Sequence, residues 1–156
     1  MKTPVVTILA VSLLASPAAA SVAACTAGAT AVAFGVYDPT SGVPLPSTGT
    51  VTVSCVLILG PPLTMAYTIA LSAGGGSFAA RKMHFGTPAL SYNLYTTAGY
   101  AAVWGDGTGG SSLQSDSYLL GASGAIKNYS IFGRIPASQA IPAGVYTDAI
   151  VVTITY

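Results

Sequence analysis

The chain has 156 residues, is 52% hydrophobic and only 6% charged, and carries a formal net charge of +1. That length fits one domain after processing, and so apolar a composition excludes disorder. Glu is absent and Lys occurs three times, which disfavours helices, whose surfaces those residues normally coat. The basic residues Arg81, Lys82, Lys127 and Arg134 form no run, so nucleic acid is not expected as a partner.

Residues 1–20 read as a cleaved secretory signal: Lys2 is the positive start, residues 5–14 the apolar run, and Ala18-Ala19-Ala20 a small-residue cleavage site before Ser21. The apolar run is shorter than the roughly 20 residues a membrane span needs. The mature domain is then 21–156. Cys25 and Cys55, an even pair in an exported chain, are expected to form a disulfide. Closing a loop of about 30 residues is worth roughly 3.5 kcal/mol on the chain-entropy account. A second reading stays open, since Val22-Ala-Ala-Cys25 resembles a lipoprotein processing site at which the cysteine carries lipid.

Alternation then marks the strands. Residues 27–37 form a first strand with Val32, Phe34 and Val36 on one face, and the turn-rich stretch 38–46 follows. Residues 49–57 place Val51, Val53 and Cys55 on one face. Pro61-Pro62 breaks the chain before 65–72, where Tyr67, Ile69 and Leu71 face inward. Residues 73–77, Ala-Gly-Gly-Gly-Ser, read as a flexible turn, and 78–85 as a short irregular strand. Residues 89–96 place Leu90, Tyr92 and Leu94 together, and 100–104 form a short strand. Residues 105–124 are a long Gly- and Ser-rich stretch read as loop. A strand at 125–135, a loop at 136–144 and a terminal strand at 145–156 complete the chain. Seven or eight short strands without a helical period predict an all-β, antiparallel β-sandwich.

The terminal strand poses the functional question. Ile150, Val152, Ile154 and Tyr156 alternate onto one face. Nothing follows them in this sequence that could pair with them, and an unpaired apolar edge templates foreign strands. Something else is expected to cover it.

No catalytic constellation is visible. His84 is the one histidine, without the cysteine or histidine partners of a zinc site, and no Gly-x-Ser-x-Gly elbow occurs. Asp38, Asp106, Asp116 and Asp148 are scattered, whereas acid–base catalysis uses paired carboxylates. Asp106-Gly-Thr-Gly-Gly110 lacks the oxygen ligands of a calcium loop and reads as an Asp–Gly turn. Gly74–Ser77 is followed by no Lys-Ser/Thr and cradles no phosphate. Asn128-Tyr-Ser130 matches a glycosylation acceptor by chance, inside a strand. Neither a cofactor nor a metal is expected.

The chain resembles the spore coat protein U domain family, which includes archaic, Csu-type chaperone–usher pilus subunits. The stretches that carry the resemblance are Phe34-Gly-Val-Tyr-Asp-Pro39, Gly49-Thr-Val-Thr-Val-Ser-Cys55, Tyr67-Thr-Ile-Ala-Leu-Ser72, Arg81-Lys-Met83, Leu90-Ser-Tyr-Asn-Leu-Tyr95, Val103-Trp-Gly-Asp-Gly-Thr108, Phe132-Gly-Arg-Ile-Pro-Ala137 and Gly144-Val-Tyr-Thr-Asp148. The resemblance implies an incomplete immunoglobulin-like sandwich lacking its final strand. A periplasmic pilus chaperone lends a strand to the gap during export through an outer-membrane usher, and a neighbouring pilus subunit later replaces it. The protein would then pass through the periplasm to the cell surface as part of a fibre or coat. Its acceptor edge would be Ile150, Val152, Ile154 and Tyr156. One departure from the family pattern is that only Ser21–Ala24 would precede Cys25 after cleavage, shorter than the five or six residues of an ordinary strand. The subunit is therefore expected to accept a strand without donating one. The competing expectation is a terminal adhesin whose loops, 105–124 among them, contact a surface.

Overall fold

Glycine, proline and β-branched residues leave this chain little choice but short extended segments. In the computed structural model, which describes residues 20–156, the regular structure is all strand. Eight strands follow in order: β1 (Val22–Thr30), β2 (Leu45–Leu59), β3 (Leu63–Leu71), β4 (Arg81–His84), β5 (Ala89–Tyr95), β6 (Gln114–Leu120), β7 (Ala125–Ile135) and β8 (Val152–Thr155). The expected signal segment falls almost wholly on residues 1–19, outside the described ones.

Five strands form one antiparallel sheet in the order β1-β2-β7-β5-β4, and three form a second in the order β6-β3-β8. The inner face of the larger sheet carries Val51, Val53 and Cys55 from β2, Ile131 and Ile135 from β7, and Leu90, Tyr92 and Leu94 from β5, all buried. Tyr67, Ile69 and Leu71 of β3, Leu120 of β6 and Trp104 close the core from the other layer. Each large apolar side chain buried this way is worth about 1.5–3 kcal/mol. The outer face is hydroxylic: Thr50 lies opposite Ser130 and Thr52 opposite Asn128, with the Thr52 hydroxyl donating to Asn128 Oδ1 at 2.8 Å.

Cys25 and Cys55 sit directly opposite each other in the β1–β2 ladder, with Cα atoms 4.1 Å apart, and are joined as a disulfide. Lipidation of Cys25 has no place in this arrangement, because its sulfur is already bonded.

Four expectations need correcting. The first strand starts at Val22 and ends at Thr30, because its ladder is set by the Cys25–Cys55 pair. Residues 31–37 lie outside any ladder, and at Gly35 (φ +74°) the backbone is left-handed, which turns Val36 away from Val32 and Phe34 to 94% exposure. The stretch 105–124, read as loop, contains β6. Its inward positions include Gln114 and Asp116 beside Tyr118 and Leu120, so the apolar alternation that marks a strand is broken by polar residues. Residues 100–104 make single bridges, Tyr95 to Val103 and Trp104 to Ser112, and Tyr100 is left-handed (φ +54°). The terminal stretch 145–156 is two pieces with different partners. Thr147 pairs with His84 next to the larger sheet, and Val152–Thr155 pair with β3 in the smaller one.

Candidate functional site

The second layer is incomplete. It runs β6-β3-β8, then a gap, then the extended stretch 31–37. Two glycines explain why that stretch lies across the larger sheet. A Cβ on Gly133 would come within 2.6 Å of Val32 and 2.7 Å of Phe34, and one on Gly49 within 2.8 Å of Val32. The two positions form a shallow trough on the inner face of β2 and β7 into which Val32 and Phe34 settle. The Ser47 hydroxyl donates to the Ala33 carbonyl at 2.6 Å, and the Phe34 ring meets Tyr92 edge-on at 5.9 Å. Isolated glycines inside strand patterns signal such close approach, but nothing in the sequence says what approaches.

Between 31–37 and the terminal stretch lie two adjoining cavities of about 530 and 400 Å³. Both are lined by Val32, Phe34, Met83 and Tyr146, and the second also by Ile150 and Val152. Their lips are apolar and uncovered: Val36 is 94% and Val145 77% exposed. Among the described residues, 31–36 make no backbone–backbone hydrogen bond, and between 145 and 151 only Thr147 and Val151 do. Free backbone groups beside exposed apolar side chains are the features that a pairing strand satisfies.

Of the four residues expected to face this opening, Ile150 and Val152 line it. Ile154 is half-buried against the core below β8. Tyr156 does not point inward: it is 59% exposed, and its hydroxyl accepts a hydrogen bond from the Cys25 N–H at 3.3 Å. At that end the last residue already spans the seam between β8 and β1, so the opening is confined to the other end.

Two polar groups have roles that no local pattern announces: Asp148, and Arg81, which lines neither cavity. Asp148 lies in the groove wall, with Oδ2 accepting from the Tyr92 hydroxyl at 2.7 Å and Oδ1 from the N–H groups of Gly75 at 2.9 Å and Ala149 at 2.8 Å. Burial, together with the bond to Asp148, pushes the Tyr92 phenol well above its ordinary value. Arg81 is fully buried and donates to the carbonyls of Ser72 at 2.8 Å and Trp104 at 2.7 Å and to Asn93 Oδ1 at 2.7 Å. Burial lowers its pKa, and nearby Tyr92 and Asp148 partly offset this. A guanidinium so placed ties the β3–β4 turn, β5 and Trp104 together.

The other candidates fall away from the groove or take structural roles. His84 is exposed on β4. Asp106 accepts from the Thr108 N–H at 2.8 Å and hydroxyl at 2.6 Å, which lowers its pKa and closes the Asp–Gly turn. Asp116 accepts from Tyr129 at 2.6 Å, and Tyr129 meets Tyr67 at 2.5 Å, which joins β6, β7 and β3. Among the described residues no group of three metal-ligating side chains occurs, and no helix is long and apolar enough to cross a membrane.

The arrangement is an immunoglobulin-type antiparallel sandwich with one open, apolar seam. The Spore Coat Protein U domain profile matches residues 9–153, and the chain belongs to that family. Protein U of Myxococcus xanthus is 33% identical over 138 residues, covering 83% of this chain and 74% of that protein. Among solved structures, a chain of the CsuC–CsuE chaperone–tip adhesion subunit pre-assembly complex, from the archaic chaperone–usher Csu pili of Acinetobacter baumannii, superposes with a TM-score of 0.57 at 20% identity. The match covers 86% of this chain and 40% of that one. The solved structure shares the fold; the family is a coat-protein domain, which places this chain among structural proteins and not among enzymes.

Proposed function

We propose that this protein is a structural subunit of a bacterial surface fibre or coat, exported with a periplasmic chaperone through an outer-membrane usher and completed by a strand from another protein. The observation that carries this reading is the groove between 31–37 and 145–152, apolar, bordered by unpaired backbone and open beside β8. The strand it takes comes first from the chaperone and then from a neighbouring subunit, alongside Ile150 and Val152. Residues 1–20 are removed on export, and 21–156 form the mature domain at the cell surface.

The subunit accepts a strand and does not donate one. Val22, Ala23 and Ala24 are already paired with Leu59, Leu57 and Val56 of the chain's own β2, and the disulfide at Cys25 anchors them. Donating them would require breaking that ladder, and two of the three are alanines with little apolar surface to bury. Such a subunit ends a fibre.

The test is capture by the chaperone in the periplasm. Val36→Asp and Val145→Asp change exposed lips, so the fold survives while capture falls at least about tenfold, as expected for a charge placed against an apolar strand. Capture at the wild-type level by both variants refutes strand addition at this groove. Chaperone-bound wild-type protein incubated alone should give no denaturant-resistant ladders. Homopolymers joined through residues 21–24 refute the acceptor-only reading.

A further inference from the structure

We propose that Asp148 is a positioning residue that fixes the wall of the groove before a strand arrives. The inference rests on the strand-acceptor reading above. Residues 145–151 cross from one ladder to the other and are held by backbone bonds only at Thr147, which exchanges both with His84 at 2.8 and 3.1 Å, and at Val151, which accepts from Ser72 at 2.9 Å. Between these holds, next to Thr147, the Asp148 carboxylate binds three groups from two other places in the fold and its own turn: the Tyr92 hydroxyl on β5, the Gly75 N–H in the β3–β4 turn, and the Ala149 N–H. It is also the one charged side chain among those lining the two cavities. An acidic group in an otherwise apolar groove is costly unless its bonds are made, and here both oxygens are engaged.

The Gly74–Gly76 turn is shaped around this contact. A Cβ on Gly74, whose φ is +62°, would lie 2.2 Å from Asp148 Oδ2. One on Gly75 would lie 3.0 Å from both His84 Cδ2 and the Lys82 carbonyl, and one on Gly76 2.3 Å from the Ala80 carbonyl. The triple glycine, which composition alone marks as flexible, is a close-fitting cradle that grips the crossing segment. With the carboxylate gone, Tyr92 and Gly75 lose their partners and residues 148–150 are held only at their ends. The groove wall would then have to be ordered as the incoming strand binds. Preorganisation of this kind shows in the association rate.

The experiment uses the mature chain, taken as freshly separated monomer and diluted so that self-association does not compete, and a fluorescein-labelled ten-residue peptide of alternating valine and threonine. Association and dissociation rates are read by anisotropy for wild type, Asp148→Ala, Asp148→Asn and Tyr92→Phe. Asp148→Ala should associate about tenfold more slowly with dissociation changed less than about twofold. Asp148→Asn, whose Oδ1 still accepts from Gly75 and Ala149, should stay within about threefold of wild type, and Tyr92→Phe should fall between the two. If Asp148→Ala does not fold, Tyr92→Phe decides by the same rates. Association of Asp148→Ala at the wild-type rate, slowing of Asp148→Asn as severe as that of Asp148→Ala, or an unchanged rate for Tyr92→Phe overturns the positioning role alone. A wild-type chain that binds no peptide overturns the strand-acceptor reading, and this inference with it.

Discussion

The two flanks of the three-stranded sheet are finished in opposite ways. On the β6 flank two of the inward positions, Gln114 and Asp116, are polar, and the Tyr67–Tyr129–Asp116 chain of hydrogen bonds ties β3, β7 and β6 together. On the β8 flank the positions are apolar, the lips Val36 and Val145 are uncovered, and the core is reached through the groove. A sheet edge can meet water if its side chains are polar and bonded. An apolar edge calls for a second chain. Under the proposed function, the difference separates a stability device from a binding device within one sheet.

Supplying the missing strand should have the largest effect on the β8 flank. The unaccompanied mature chain should aggregate or swap strands. The same chain with an alternating donor segment fused after Tyr156 through a flexible linker should be a monomer with a single cooperative melt, because the pairing becomes intramolecular. Light scattering after size exclusion distinguishes the two. A stable monomeric unfused chain means the β8 flank is as finished as the β6 flank.

Smaller effects sharpen the contrast, each measured in the donor-fused form. Replacing both Cys25 and Cys55 with serine should lower stability by about 3.5 kcal/mol in denaturant melts, since the bridge closes a separation of 30 residues. Gly133→Ala should cost about 1–3 kcal/mol by overpacking the trough that holds Val32 and Phe34, with the loss concentrated on the groove side in amide exchange. Tyr129→Phe, on the closed flank, should cost about 0.5–1.5 kcal/mol for the lost bond and leave amide exchange on the groove side unchanged.

The closed flank also predicts a pH profile. The Tyr129 hydroxyl holds the Asp116 carboxyl below its ordinary value of 3.8. Its contribution is therefore complete above 3.8 and is lost as pH falls through the lower folded-state value, where the native state must also take up the proton. Burial and the bond to Asp116 push the Tyr129 phenol above its ordinary value of 10.0, as burial does for Tyr92. Above pH 10 the unfolded chain gives up phenol protons that the folded chain keeps, so stability should fall there. Urea midpoints across pH should show both shoulders in wild type. Asp116→Asn should remove the acid contribution from this site.

How much of this was legible in the sequence depended on whether a residue's partner was implied by its own pattern. β2, β3, β5 and β7 were readable because Val51, Ile69, Leu94 and Ile131 belong to strand-forming runs in which large side chains recur at every second position. β6 was hidden because Asp116 faces inward to meet a tyrosine from β7, and no local pattern announces a distant hydroxyl. The first and last strands were read as single units because alternation runs on through Phe34 and Ile150 after the partner strand has changed. Gly49 and Gly133 mark a close approach without naming what approaches, and only the positions of Val32 and Phe34 show why they carry no Cβ. Tyr156 kept the alternation of β8, yet its ring turns outward to meet Cys25.

The placement of β7 at the centre of the larger sheet carries a consequence for durability. The chain contains five Lys and Arg residues. Of the four in the described part, Lys127 and Arg134 lie in β7, paired on one side throughout by β2 and, at Arg134, on the other by β5. Arg81 and Lys82 lie in β4, paired with β5, and Arg81 is buried. A trypsin-like protease needs an extended, unpaired segment in its cleft, and here each of these scissile bonds sits in a ladder. Digestion within residues 20–156 must therefore wait for these ladders to open, and its rate reports that opening rather than surface access.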